Sequence, residues 1–193
     1  MIKVWDYLKE YELLRNDILE AVDEVFKGGV LIFGPKLEEF EDKFSKYNDC
    51  KYGIGVGNCT DALYIALRAC GIGKGDEVIT VSNTAVSTVT SIVNAGADVR
   101  FVDINKYSLI DVNKIEQTIT KKTKAIMPVH WAGRPCEMTK IFRIAKKHKL
   151  KIIQDTSHGI DARYKNKHLI NFGDICTYSM HPLKNLNVWG DGG

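Results

Sequence analysis

The hydrophobic positions of this chain change period partway along it. From Asp6 to Phe26, Leu8, Leu13, Leu14, Ile18, Val22 and Val25 recur at three- and four-residue spacing, which predicts a helix with one apolar face that Gly28-Gly29 stops. Gly34-Pro35 opens a second helical stretch through Lys43, with proline at a first-turn position where its missing N–H is no loss. Short apolar runs then alternate with helical ones. Strands are expected at 52–56, 77–81, 99–102, 125–129 and 151–154, and helices at 60–70, 87–94, 137–147 and, capped by Asp111, up to Ile119. This repetition, with nearly unbroken apolar strands, predicts an α/β fold: a mostly parallel central sheet with helices on both faces.

The rhythm ends after Gln154. Arg163 to Ile170 reads as a hairpin around Lys165-Asn166-Lys167, and Asp174 to Tyr178 as a further strand leading into Ser179-Met-His-Pro-Leu-Lys184. Ligands of open α/β sheets lie beyond the carboxyl ends of the strands. The turns at 57–61, 82–87, 155–159 and 179–185 are therefore where chemistry is expected.

Composition narrows the classes. The 193 residues carry 27 basic and 24 acidic side chains, a net charge of +3, without a basic stripe or interleaved aromatics, so no nucleic-acid partner is expected. Five cysteines in an odd count, with no C-x-x-C spacing, suggest reduced thiols of a cytoplasmic protein rather than a disulfide framework or zinc ribbon. No window approaches the roughly 18 apolar residues of a membrane span, so no membrane partner is expected. The five histidines form no H-x-x-x-H pair, no acidic triplet resembles a calcium loop, and there is no G-x-S-x-G elbow, so neither a metal site nor a serine hydrolase is expected.

Three of the turns carry candidate groups. Gly53-Ile-Gly55-Val-Gly57-Asn-Cys-Thr60-Asp61 joins a predicted strand to a helix, where backbone N–H groups can meet a phosphate; a tight structural turn explains it as well, and the dinucleotide fingerprint fails because its third glycine falls at Asn58 or Thr60. Asp155 comes directly after Ile152-Ile153-Gln154 at the mouth of the sheet, either as a cap for the segment beyond Thr156-Ser157 or as an anion awaiting a cation such as a protonated pyridine nitrogen. His158 reads as a packed imidazole as readily as a catalyst. Lys184 is a surface lysine on its own, but beside Ser179 and a glycine-rich end it offers an amine that can form an imine with an aldehyde. Phosphate anchor, carboxylate and amine at three strand ends are the set that pyridoxal phosphate needs.

These segments resemble the DegT/StrS-type family of pyridoxal-phosphate-dependent nucleotide-sugar aminotransferases, of the aspartate-aminotransferase fold (fold type I). The resemblance rests on Phe33-Gly34-Pro35, Gly57-Asn58-Cys59-Thr60-Asp61-Ala62-Leu63, Gly75-Asp76-Glu77-Val78, Pro128-Val129-His130, Asp155 with His158-Gly159, Phe172-Gly173-Asp174, and Ser179 through Asn185 to Gly190-Asp-Gly-Gly193. It implies a Schiff-base lysine at Lys184, which also moves protons during transamination, and Asp155 on the pyridine nitrogen. It further implies Cys59, Thr60 and Ser179 on the phosphate, and His158, where many relatives have glutamine, beside the ring hydroxyl. Ala85 stands where relatives often carry a ring-stacking aromatic, so stacking here is weaker or comes from elsewhere.

The resemblance also implies an amino group taken from glutamate and delivered to the keto group of a nucleotide-linked sugar, for surface glycans or natural products, by a homodimer with shared active sites. A sugar dehydratase of the same family carries histidine in place of the lysine, which Lys184 argues against; a regulatory or structural relative without turnover is the other alternative. Residues 1–34 are then an N-terminal helical arm and 35–193 an incomplete cofactor-binding large domain. The chain reads as the N-terminal part of a longer protein, and alone it is expected to be inactive or nearly so.

Overall fold

The computed structural model describes residues 6–193, which fall into two compact units. The first, with residues 51–54 added, holds helices α1 (Tyr7–Gly28) and α2 (Pro35–Tyr47). Gly29 ends α1 in the left-handed conformation (φ 69°), its N–H returning to the carbonyl of Phe26. The expected apolar row is present, but no α1 side chain is buried: Leu13 is 77% and Phe26 67% exposed. Extended residue Gly53 packs its backbone so closely on Glu41 that a Cβ would stand 2.7 Å from the Glu41 carbonyl oxygen.

The second unit is built on a five-stranded parallel sheet. Its elements run α3 (Cys59–Ala69), β1 (Glu77–Thr80), α4 (Val86–Asn94), β2 (Asp98–Phe101), α5 (Val112–Thr118), β3 (Thr123–Ile126), α6 (Met138–His148), β4 (Lys151–Asp155), the hairpin β5 (Arg163–Tyr164) and β6 (Lys167–His168), and β7 (Ile175–Thr177). The spatial order is β2-β1-β3-β4-β7. Adjacent strand residues face opposite ways, and each face is covered: Val78, Ala125 and Ile153 pack with Leu63, Leu67 and Ile92 of α3 and α4. Their neighbours Ile79, Ile126 and Ile152 pack with Ile115, Met138 and Ile141 of α5 and α6. Two covered faces are why these strands are apolar without alternation.

The expected strand at 52–56 is not part of this sheet. No strand forms there, although Val56 and Gly193 exchange a reciprocal pair of backbone hydrogen bonds at 2.9 and 3.1 Å. Elsewhere the expected elements are present with ends moved by at most four residues, the largest shift being α2, which runs on from Lys43 to Tyr47. Asp111 caps α5 by accepting from the Asn113 N–H. The β5–β6 turn is two residues, Lys165 and Asn166, both at positive φ (51° and 62°), the mirror-image turn whose twist suits a hairpin.

Strand order positions the site. After β1 the chain adds β2 on one side and β3 on the other, so the connections leaving the carboxyl ends of β1 and β3 diverge and open a crevice.

Candidate functional site

A cavity of about 300 Å³ occupies that crevice, within the second unit. Its wall includes all seven residues singled out in the sequence, Cys59, Thr60, Ala85, Asp155, His158, Ser179 and Lys184. Each comes from the last residue of a strand, a turn after a strand, or the start of a helix. Its volume is at the lower end of the roughly 300–1,000 Å³ of small-molecule sites.

Helix α3 supplies one end. Asn58 caps it, its side chain accepting from the Asp61 N–H while its carbonyl accepts from Ala62. The amides of Cys59 and Thr60 stand at the start of an 11-residue helix, where backbone donors and the helix dipole favour an anion. Residue 193 must be glycine here, since a Cβ on it would lie 2.7 Å from the Cys59 nitrogen.

Asp155 ends β4 and is 4% exposed. Its Oδ1 accepts from the Ser157 N–H (3.1 Å) and hydroxyl (2.6 Å), and its Oδ2 from the Thr88 hydroxyl of α4 (2.7 Å). These donors fix the proton order further out. Thr88 spends its one hydrogen on Asp155, so the Thr84 hydroxyl, 2.6 Å away, donates to Thr88. Ser157 likewise spends its hydrogen, so the Cys59 thiol, 3.1 Å away, donates to Ser157. The thiol is therefore protonated, and burial, aided by the charge of Asp155, pushes its pKa up to about 11. Cys59 thus turns its sulfur to the carboxylate's support and leaves its backbone N–H to the cavity. The Asx turn to Ser157 meets the capping reading of Asp155 in part, but none of the ion pairs among the described residues involves this carboxylate.

Ser179 begins the segment that carries the lysine. Its oxygen accepts from the His181 N–H at 3.4 Å, and the Lys184 N–H closes the turn onto the His181 carbonyl at 2.8 Å. Lys184 is half-buried. Its charge is felt at both Cys59 and His158, where it lowers the pKa.

Ala85 caps α4 without a side-chain bond, so this position offers only a methyl group to the cavity. The aromatic side chain on the wall is Trp131, edge-on to the His158 ring with centroids 5.2 Å apart. Trp131, Thr88 and Ser157 were not anticipated from sequence. A tryptophan directly after the strand-end run Pro128-Val129-His130 was the available signal for the first. Nothing local distinguishes Thr88 from the hydroxyls around it. His130 also lines the cavity but is structural: fully buried, it accepts the Cys136 N–H at Nδ1 (3.1 Å) and meets Gln154 Oε1 at Nε2 (3.0 Å), and burial pushes its pKa down to about 4. A second recess of about 480 Å³ shares His158, Leu183 and Lys184 with the first and continues to Ile160, Asp161 and Asn185.

Among the described residues no helix is long and apolar enough to cross a membrane, and no cluster of three or more metal-ligating side chains occurs. The profile of the DegT/DnrJ/EryC1/StrS aminotransferase family matches residues 12–193. A "pleiotropic regulatory protein" of Geobacillus stearothermophilus is 42% identical over the whole chain and 52% of its own length. The dTDP-3-amino-3,4,6-trideoxy-alpha-D-glucose transaminase of Micromonospora megalomicea subsp. nigra is 41% identical over 98% of this chain and 51% of its own. The crystal structure of NtdA from Bacillus subtilis with bound cofactor PMP superposes with a TM-score of 0.88 at 40% identity, over 92% of this chain and 40% of that one. The chain thus spans about half the length of these curated relatives.

Proposed function

Given that the chain belongs to the DegT/DnrJ/EryC1/StrS aminotransferase family, we propose that the full-length protein is a pyridoxal-phosphate-dependent aminotransferase acting on a nucleotide-linked keto sugar. The observation that carries this reading is Asp155: a carboxylate buried at a strand end, held by three neutral hydrogen bonds, with no ion pair among the described residues and a cavity in front of it. Such an anion is stable beside a cationic ring nitrogen and costly without one. The other walls suit the rest of the same group, with helix-start amides of α3 and Ser179 for a phosphate and the Lys184 amine for an aldehyde. NtdA, with PMP bound, supplies a cofactor of this class in a relative of the same fold.

When bound, pyridoxal phosphate supplies the aldehyde that condenses with an amine and a ring that withdraws the electrons left when a neighbouring carbon loses its proton. The chain's residues do the rest. Asp155 orients the ring and keeps its nitrogen protonated, and the amides of Cys59 and Thr60 with Ser179 hold the phosphate. Lys184 would hold the aldehyde through its amine, and its Nζ is the group that would take up and return a proton. Trp131 and Val129 exclude water from one side of the cavity, and the second recess gives the sugar a place beside Lys184.

Glutamate is the proposed donor, and an amino sugar for surface glycans or natural products the product. The named activity of the Micromonospora relative supports a nucleotide-linked sugar as acceptor. A cytoplasmic homodimer is the proposed form, supported by the exposed apolar side chains Leu8, Val22 and Phe26 on one face of α1. The similarity to a protein named as regulatory keeps a second reading, cofactor binding without turnover. Adding glutamate to the full-length protein loaded with pyridoxal phosphate separates the two. Conversion of the absorbance to that of pyridoxamine phosphate supports the aminotransferase; an unchanged spectrum with glutamate and other amino acids supports the regulatory reading.

A further inference from the structure

His158 accepts a hydrogen bond at Nδ1 from the backbone N–H of Ala132, over 3.2 Å. An amide N–H can only donate, so Nδ1 carries no proton and a neutral ring holds its hydrogen on Nε2. The donor cannot easily turn away. Ala132 sits at φ 52° and Gly133 at φ 76°, and a Cβ on residue 133 would lie 2.9 Å from the His158 carbonyl oxygen, so this left-handed turn is packed against His158. The Trp131 ring meets the imidazole edge-on from the same turn.

We infer that the turn Trp131–Gly133 fixes His158 as a neutral imidazole protonated on Nε2, which presents one hydrogen-bond donor and no charge to an oxygen on the ring of the bound cofactor. This rests on the pyridoxal-phosphate reading of the cavity. Such fixing matters for a histidine in particular, because an imidazole can change tautomer and charge where a glutamine amide cannot.

The groups around the ring agree. Those lining the two recesses with it are Cys59 of α3, His130, Asp155 of β4, Asp161, and His181, Lys184 and Asp191 of the last segment. Burial foremost, then the Lys184 charge, hold the His158 pKa below the ordinary histidine value, with Asp155 opposing. Protonating Nδ1 would set two N–H donors against each other. His130 is held the same way, its Nδ1 taking the Cys136 N–H, so adjacent strand ends use one device.

The test is nitrogen-15 NMR of the imidazoles in full-length protein, without and with pyridoxal phosphate. The expected result without cofactor is a neutral His158 with its proton on Nε2 at neutral pH. Gly133→Ala should blur this into a tautomer mixture, and adding cofactor to the unaltered protein should shift the Nε2 proton. His158→Gln should keep cofactor affinity within about threefold and His158→Leu lose about tenfold, the loss of one hydrogen bond. A proton on Nδ1, or a charged ring, at neutral pH overturns the inference even if Lys184 takes up the cofactor. The expected tautomer in a folded protein whose Lys184 takes up none overturns the reading of the cavity instead.

Discussion

The Thr88 hydroxyl donates to Asp155 Oδ2 over 2.7 Å, tying the start of α4 to the end of β4 across the crevice. Thr88 is fully buried, and the bond completes a carboxylate whose other oxygen is already taken by Ser157. The two residues lie 67 positions apart, so this is a tertiary device for aiming a charge.

Thr88→Val keeps the shape and removes the donor. Leaving a buried carboxylate short of a hydrogen bond costs about 2 kcal/mol, and the full-length protein should lose that much stability to urea and bind pyridoxal phosphate about tenfold more weakly. Ser157→Ala should do less, because the Ser157 N–H stays on Oδ1. Equal affinities for Thr88→Val and the unaltered protein would remove Thr88 from the site.

His130 sets a pH dependence of stability. Its folded pKa, about 4, lies below the ordinary 6.5, so between those values the unfolded chain binds the proton and the folded chain does not. Stability is then full above pH 6.5 and falls as the pH drops towards 4, by on the order of 3 kcal/mol from this group. Urea unfolding across that range, with the His130 resonance followed by NMR, checks it; a His130 that titrates near 6.5 contradicts it.

Cys59, Cys136 and Cys176 should resist alkylation at neutral pH while the protein is folded. Burial pushes their pKa values up to about 11, 12 and 12, and the thiolate is the reactive form. Iodoacetamide labelling read by peptide mass spectrometry should find them unmodified until denaturant is added. Rapid native labelling of Cys59 would show that its thiol does not donate to Ser157 as the geometry requires.

The strand ends were legible in the sequence because parallel strands covered on both faces are apolar runs, and each run ends where a polar or glycine-rich turn begins. Asp155 is the last residue of β4 and Ser179 and Lys184 follow β7, and strand order alone brings them to one cavity. Thr88 was not legible: it lies one turn inside α4, and its value depends on β1, β3 and β4 being neighbours. The segment 52–56 misled because an extended apolar run looks alike whether or not a sheet partner exists. The apolar row of α1 marked the helix correctly but could not say that none of its side chains would be fully buried.

The direct test of the pyridoxal-phosphate site is reductive trapping. The full-length protein, incubated with pyridoxal phosphate and reduced with borohydride, should carry the pyridoxyl group on the peptide containing Lys184, and Lys184→Ala should abolish the label without unfolding the protein. A folded protein labelled equally at other lysines, or still labelled in this cavity after Lys184→Ala, would contradict the assignment.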